Sequence, residues 1–152
     1  MATKTKPPRT RQRSQHIVRS LLNLPKGKRP DLETLIWRLR EGLEVRELEE
    51  LRTVLDVSAT RMAELLGISR ATFQRRSGGG RLKQTESDRV VRFARIMGLA
   101  MEALESEESA RQWLNTPQVA LGGAVPLDYA RTELGAREVE DMLGRIDEGV
   151  YS

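Results

Sequence analysis

The sequence predicts an all-α protein, in which a multi-helix N-terminal and central region precedes a small helical C-terminal region. Apolar residues recur at intervals of three and four in successive segments, which is the period of a helix with one buried face. Glycine and proline separate these segments. The alternation of β-branched or aromatic residues with polar ones is missing, so we expect almost no sheet. A chain of 152 residues suits one domain or two small ones.

The N-terminal part predicts a basic arm and two short helices. Residues 1–16 are rich in Lys, Arg, Thr and Pro, which predicts a disordered arm. Apolar residues from Ile17 onward predict a helix that ends before Pro25. We expect Asp31 to cap the next helix and Gly42 to end it. Four apolar residues share one face of that helix: Leu32, Leu35, Ile36 and Leu39. A further helix follows, with an apolar face and a Glu-rich outer face; its apolar residues are Leu48, Leu51, Val54 and Leu55.

Residues 58–76 predict two short helices joined by a tight turn. Gly67 stands where the turn needs a positive φ, which other residues adopt only at a steric cost. Ser69 is placed to cap the second helix. The positions that face inward are apolar: Met62, Leu65, Leu66 and Phe73.

The outward positions of the second helix carry hydrogen-bond donors suited to phosphates and base edges. The motif, with its Ala-x3-Gly-Ile-Ser core, resembles the helix-turn-helix of Xre/Cro-like regulators, whose second helix enters the major groove. The resemblance implies a set of DNA-binding residues: Ser69, Arg70, Thr72, Gln74, Arg75 and Arg76. Arg76 departs from the pattern, because the third residue after Phe73 is usually apolar, and this leaves open a shorter or shifted second helix. Two other interpretations also stay open, a tight helical corner of an all-α core and a folded motif used for self-association.

The next segment predicts a loop and a long helix. Residues 77–83 are expected to form a flexible basic loop, and we reject a nucleotide-binding loop because no strand precedes it and the glycine spacing does not match. Residues 86–104 predict a helix capped by Ser87. Its inner stripe is apolar and flanked by arginines, which favours packing against a second copy in a homodimer. The stripe comprises Val90, Val91, Ala94, Met97, Met101 and Leu104, and the flanking arginines are Arg89, Arg92 and Arg95.

Residues 105–152 predict a small helical module. We expect a helix from Glu105 to Leu114, then a turn, an extended segment, and a short helix with Pro126 in its first turn. We expect residues 132–135 to break that helix, and a last helix to run from Ala136 to Ile146.

This module is similar to the toxin-binding domain of the Xre/MbcA/ParS antitoxins. The matching pieces are Trp113-Leu114-Asn115-Thr116-Pro117, Ala120-Leu121-Gly122-Gly123, Pro126-Leu127 and Gly135-x-x-Glu138-Val139, followed by Leu143-Gly144-Arg145-Ile146-x2-Gly149-Val150-Tyr151. The resemblance implies a type II antitoxin that binds a RES-domain toxin, a NAD-consuming enzyme related in fold to ADP-ribosyltransferases, blocks its active site and represses its own operon. The residues expected to bind the toxin are Leu121, Gly122, Gly123, Pro126, Leu127, Arg145, Gly149, Val150 and Tyr151.

The individual residues of this module admit structural interpretations too. Trp113, Leu121 and Leu143 also suit a core, and Gly122 and Gly123 suit a turn. Tyr151 has no obvious core to join, and an aromatic residue beside the end of the sequence is a natural anchor for a partner's pocket.

Composition and charge exclude several classes of function. The chain has no Cys and one His, His16, so we expect no metal site built on these residues, no cofactor and no enzymatic activity. No segment is apolar enough to span a membrane and no secretory signal is evident, so we expect a cytoplasmic protein without a membrane partner.

The charge is distributed in four alternating blocks. Residues 1–30, 31–60, 61–100 and 101–152 carry net charges of +9, −4, +6 and −7. This alternation favours separate surfaces for a polyanion and for another partner, although ordinary solvated faces also explain it. The prediction is therefore a toxin-neutralising antitoxin that also binds operator DNA. The alternative is a stand-alone helix-turn-helix regulator whose C-terminal domain only oligomerises.

Overall fold

The computed structural model describes residues 32–149 and is helical, as predicted. The expected basic arm, the helix from Ile17, the Asp31 cap, the Leu32 side chain, Val150 and Tyr151 lie outside the described part. The helices in chain order are α1 (Leu32–Glu41), α2 (Val45–Leu55), α3 (Ala59–Leu66), α4 (Arg70–Ser77), α5 (Gln84–Leu104), α6 (Glu107–Leu114), a 3-10 turn (Val119–Leu121), α7 (Pro126–Tyr129) and α8 (Glu133–Asp147). Between residues 32 and 149, strand-like pairing is limited to two isolated bridges. None of the helices described there is long and apolar enough to cross a membrane.

Helices α1 to α4 form where the sequence predicts them. Gly42 ends α1 with a φ of +88°, and a Cβ there would lie 1.9 Å from the carbonyl oxygen of Leu82, so only glycine fits. Leu48, Leu51 and Leu55 of α2 are fully buried. In α1, however, Ile36 is 42% exposed although we expected it on the buried face.

The predicted flexible loop over residues 77–83 is instead tied to the segment after α1. The amide of Leu82 donates to the Leu43 carbonyl oxygen (2.8 Å), and the Leu82 side chain is buried. The Arg81 guanidinium donates to the Gly42 carbonyl oxygen (3.0 Å). The prediction was wrong because these partners lie about 40 residues away in the sequence, where local composition gives no sign of them.

The long helix α5 is the centre of the molecule. It packs against α6 and α8 of the C-terminal region and against α1, α2 and α3 of the N-terminal region. Phe93 and Ile96, which lie outside the predicted stripe, are fully buried as well. Of the predicted stripe, Val90, Ala94 and Met97 are buried in the core of the chain itself, whereas Val91, Met101 and Leu104 are only partly buried. The homodimer itself stays a prediction.

The start of α5 also differs from the prediction. Ser87 does not cap the helix. Its side chain is buried, and its hydroxyl accepts a hydrogen bond from the amide of Leu43 (2.9 Å). The helix begins at Gln84, two residues before the predicted start at residue 86, and the amide of Lys83 donates to the Glu86 carboxylate (2.9 Å).

The last helix, α8, begins earlier than the sequence predicts. Pro126 opens α7, as predicted. The expected break between the last two helices exists but covers residues 130–132 and not 132–135, because Thr132 caps α8 and the helix begins at Glu133. Gly135 lies inside the helix where a Cβ would come within 1.7 Å of the Tyr129 carbonyl oxygen. Glycine is therefore required by the close approach of α7 and not by a change of direction.

Candidate functional site

The helix-turn-helix is formed by α3 and α4 with the geometry that its sequence predicts. Gly67 ends α3 with a φ of +68°, and Ser69 caps α4 by accepting a hydrogen bond from the amide of Thr72 (3.1 Å). Met62 and Phe73 are buried and join the two helices to the core. These features follow from rules that act within a few residues, which is why the sequence alone predicted them.

The outward face of α4 presents four of the six expected DNA-binding residues to solvent. The exposed side chains are those of Ser69, Arg70, Gln74 and Arg75. Thr72 is partly buried, and its hydroxyl accepts a hydrogen bond from Arg75 (3.2 Å). The Arg70 guanidinium donates to the hydroxyl of Thr60 on α3. The face therefore combines exposed cationic groups with short hydroxyls, a set suited to phosphates and base edges.

Arg76 is placed differently from the other five. It is partly buried, and its guanidinium forms an ion pair with the buried Glu86 at the start of α5. Helix α4 nevertheless continues to Ser77, so the second helix is neither shorter nor shifted.

The expected toxin-binding residues divide into a buried and an exposed group. Leu121 is 8% exposed, Leu127 is fully buried and Pro126 is buried. These three side chains support the loop between α6 and α8, and they offer little surface to a partner. Four other expected residues are exposed: Gly122, Gly123, Arg145 and Gly149.

A residue that the sequence analysis passed over, Val119, dominates the loop after α6. Its side chain is 95% exposed. The loop beneath it is held by hydrogen bonds from the amide of Gln118 to Ala124 and from the amide of Gly123 to Gln118, both 3.0 Å. Gly122 allows this turn through a φ of +66°. Local sequence does not mark Val119, because the apolar residue directly before the two glycines is Leu121, which is buried.

A second exposed apolar residue lies at the start of α8. Leu134 is 78% exposed, and helical periodicity could have placed it on the outer face of a helix beginning at Glu133. The expected helix break at residues 132–135 gave Leu134 no helical face. Val119 and Leu134 together give the C-terminal region apolar surface that its own core does not use.

Ion pairs join the helix-turn-helix and α5 to the C-terminal helices. Arg61 of α3 binds Asp128 of α7 (2.6 Å), and this hydrogen bond raises the pKa of the Arg61 guanidinium. From α5, Arg92 binds Glu133 (3.2 Å) and Arg95 binds Glu140 (2.7 Å). Three arginines of the basic block 61–100 therefore pair with three acidic residues of the acidic block 101–152 within the same chain.

The chain is similar to known proteins over both regions. Residues 36–95 match the model of the antitoxin Xre-like helix-turn-helix domain, and residues 99–149 match that of the antitoxin Xre/MbcA/ParS C-terminal toxin-binding domain. An antitoxin Xre of Yersinia enterocolitica is 32% identical over 120 residues, which is 78% of this chain and 81% of the relative. The chain belongs to the Xre antitoxin family. Both matched regions include part of α5.

Two further relatives extend the comparison. An antitoxin Xre of Photorhabdus laumondii is 30% identical over 133 residues, covering 86% of this antitoxin and 88% of the relative. A Sphingobium protein named Prs ADP-ribosylating antitoxin is 26% identical over 124 residues, covering 75% and 78%. This antitoxin therefore has a toxin as its partner and a helix-turn-helix for DNA, and its family points to a non-enzymatic role.

Proposed function

We propose that this antitoxin neutralises a RES-domain, NAD-degrading toxin in the cytoplasm by occluding its active site. It acts as a homodimer within the toxin–antitoxin complex, and it represses its own operon through α4.

The observation that carries the toxin-binding part of the proposal is the exposed Val119 on its hydrogen-bonded loop. A side chain that is 95% exposed contributes little to folding, so its apolar surface is available to a partner. A loop that is already ordered loses little entropy when it binds. The exposed Gly122 and Gly123 beside it let another backbone approach closely.

The charge of the C-terminal region suits such a partner. Residues 101–152 carry a net charge of −7, and a cleft that binds a dinucleotide phosphate is expected to be basic. Arg145 and Gly149 lead into Val150 and Tyr151, and we assign to this tail the role of an anchor that blocks the dinucleotide entrance. No chemistry by the antitoxin is needed for this block.

The test is co-expression of the full chain with the toxin-type gene beside it, followed by co-purification and measurement of cellular NAD. We expect a stable complex and a preserved NAD level.

Val119→Ser should weaken the complex by about 30-fold, the size of a typical hot spot. Deletion of residues 149–152 should impair neutralisation while the chain still folds. Trp37→Ser, which removes an exposed apolar residue from α1 instead, is the matched control.

The same experiment tests the alternative. A chain that forms no complex with the neighbouring gene product, and whose oligomeric state depends on Val119, would be a stand-alone regulator with a C-terminal domain for oligomerisation. An intact complex with full neutralisation by both variants would disprove the role assigned to the loop and the tail.

DNA binding is assigned to five residues of the outward face of α4: Ser69, Arg70, Thr72, Gln74 and Arg75. We expect the antitoxin to bind an inverted repeat in its own promoter. Arg70→Ala and Arg75→Ala should each weaken this binding at moderate salt. Arg137→Ala, which removes an exposed cation from α8, is the control for net charge. Unchanged affinity in both α4 variants would show that the DNA-binding residues lie outside α4.

A further inference from the structure

One buried carboxylate joins the end of α4 to the start of α5. The guanidinium of Arg76 donates to Glu86 through Nε (3.3 Å) and Nη2 (3.5 Å), one bond to each carboxylate oxygen. The Glu86 side chain is 5% exposed and that of Arg76 is 27% exposed. The same carboxylate accepts the amide of Lys83 (2.9 Å), so Glu86 holds both helix ends.

This geometry keeps the Arg76 guanidinium on Glu86 and away from the DNA-facing side of α4. If the guanidinium turned outward to a phosphate, Glu86 would stay buried without its cation, which is strongly unfavourable. The exposed cations of α4, Arg70 and Arg75, face no such cost. Arg76 also occupies the position three residues after Phe73, where an apolar side chain would pack against the neighbouring helix. The ion pair takes the place of that packing.

We propose that Arg76 is a positioning residue. Its pair with Glu86 sets the angle at which α4 leaves the body of the protein, and Arg76 itself does not contact DNA. This inference rests on the proposed DNA binding, and it removes one residue from the expected contact set. Because α5 continues into the C-terminal region, the pair also fixes α4 to the helix that carries the toxin-binding domain.

The test uses the full chain with Arg76→Met, Glu86→Gln and the double variant. Gln keeps an oxygen for the Lys83 amide, and Met keeps the length of the arginine stem, so the double variant replaces an ion pair by a neutral pair. The probe is a duplex carrying the promoter region of the antitoxin's own gene, titrated over a series of salt concentrations. Arg75→Met is the matched control on the exposed side of α4.

We expect each single variant to bind the duplex about 10-fold more weakly, and the double variant to recover most of the loss, because it leaves no unpaired buried charge. The slope of log affinity against log salt should be unchanged in Arg76→Met, whereas it should fall by about 0.9 in Arg75→Met, which loses a phosphate contact. A fall in slope in Arg76→Met equal to that of the control would overturn the proposal. A Glu86→Gln affinity equal to or above the wild-type value would overturn it too.

Hydrogen exchange without DNA separates this inference from the proposed DNA binding. Arg76→Met and Glu86→Gln should speed exchange of the amides of α4 while those of α8 stay protected. If the unmodified chain does not bind the duplex, the assignment of DNA binding fails, and the exchange measurement still decides the role of the pair. Unchanged exchange in α4 in both variants would refute it. A variant that loses protection in α8 as well would also refute it, because the pair would then support the whole fold and not the position of α4.

Discussion

At the scale of single residues, the two glycines of α8 show that tertiary contact decides whether a position requires glycine. Both have helical neighbours and no positive φ. A Cβ on Gly135 would meet the Tyr129 carbonyl oxygen at 1.7 Å, whereas a Cβ on Gly144 would meet nothing within 4 Å. The same residue type therefore serves close packing at one position and only lowers helix stability at the other.

These glycines give a matched pair of stability predictions. Gly135→Ala should lower the free energy of unfolding by about 1–3 kcal/mol, because α7 must move away from α8. Gly144→Ala should raise it by up to about 1 kcal/mol, because alanine favours the helix. Urea denaturation of both variants measures the difference. Equal stability of the two would contradict the close approach of α7.

At the scale of elements, α1 and α2 are joined by a buried ion pair. The Arg38 guanidinium of α1 donates to Glu47 of α2 (2.9 Å), and the Glu47 side chain is 2% exposed. Glu47 also accepts the amide of Glu44 (3.0 Å) and so caps its own helix. The sequence predicts an outer face for the glutamates of α2, but Glu47 is buried and paired with Arg38.

This pair predicts an unusual pH dependence. Burial raises the pKa of Glu47 above its ordinary value of 4.5, although Arg38 and the backbone hydrogen bond act in the opposite direction. The folded state therefore holds the proton more tightly than the unfolded chain does. The contribution of Glu47 to stability is full below pH 4.5 and is lost as the pH rises through the higher folded pKa.

The measurement compares the chain with Glu47→Gln, which does not titrate. The free energy of unfolding of the unmodified chain, minus that of the variant, should fall as the pH rises from below 4.5 to neutral. Thermal or urea unfolding over this range gives the difference. A difference that grows with pH would show that the attraction of Arg38 outweighs the cost of burial.

At the scale of the whole molecule, α5 makes the two matched regions one folding unit. It contributes to the core on both sides, and three ion pairs connect the helix-turn-helix and α5 to α7 and α8: Arg61–Asp128, Arg92–Glu133 and Arg95–Glu140. The alternating charge blocks suggested separate surfaces for separate partners. Part of that charge instead forms ion pairs between the two matched regions.

Shared packing on α5 predicts a single cooperative unfolding transition. In Trp37→Phe the remaining tryptophan is Trp113 on α6, which packs against the core. Its fluorescence should report the same urea midpoint as far-UV circular dichroism, which follows all helices. The converse variant Trp113→Phe, which keeps Trp37 on α1, is the control. Midpoints that differ between the probes would mean that the two regions unfold independently.

The sequence alone determined the features that arise from short-range rules. The all-α fold, the Gly67 turn and the Ser69 cap all depend on residues a few positions apart, so periodicity and local chemistry were enough. The antitoxin prediction came instead from the resemblance of the helix-turn-helix and of the C-terminal motifs to a known family.

The tertiary structure decided which of these residues are available to a partner. The sequence marks Arg76 as a departure from the motif, but only the packed helices show that its guanidinium pairs with the buried Glu86 while Arg75 stays exposed. Leu121 is inside and Val119 outside because the turn places them on opposite sides of the loop. The physical reason is common to both cases: exposure and charge pairing depend on groups that are distant in the chain and meet only when the helices pack.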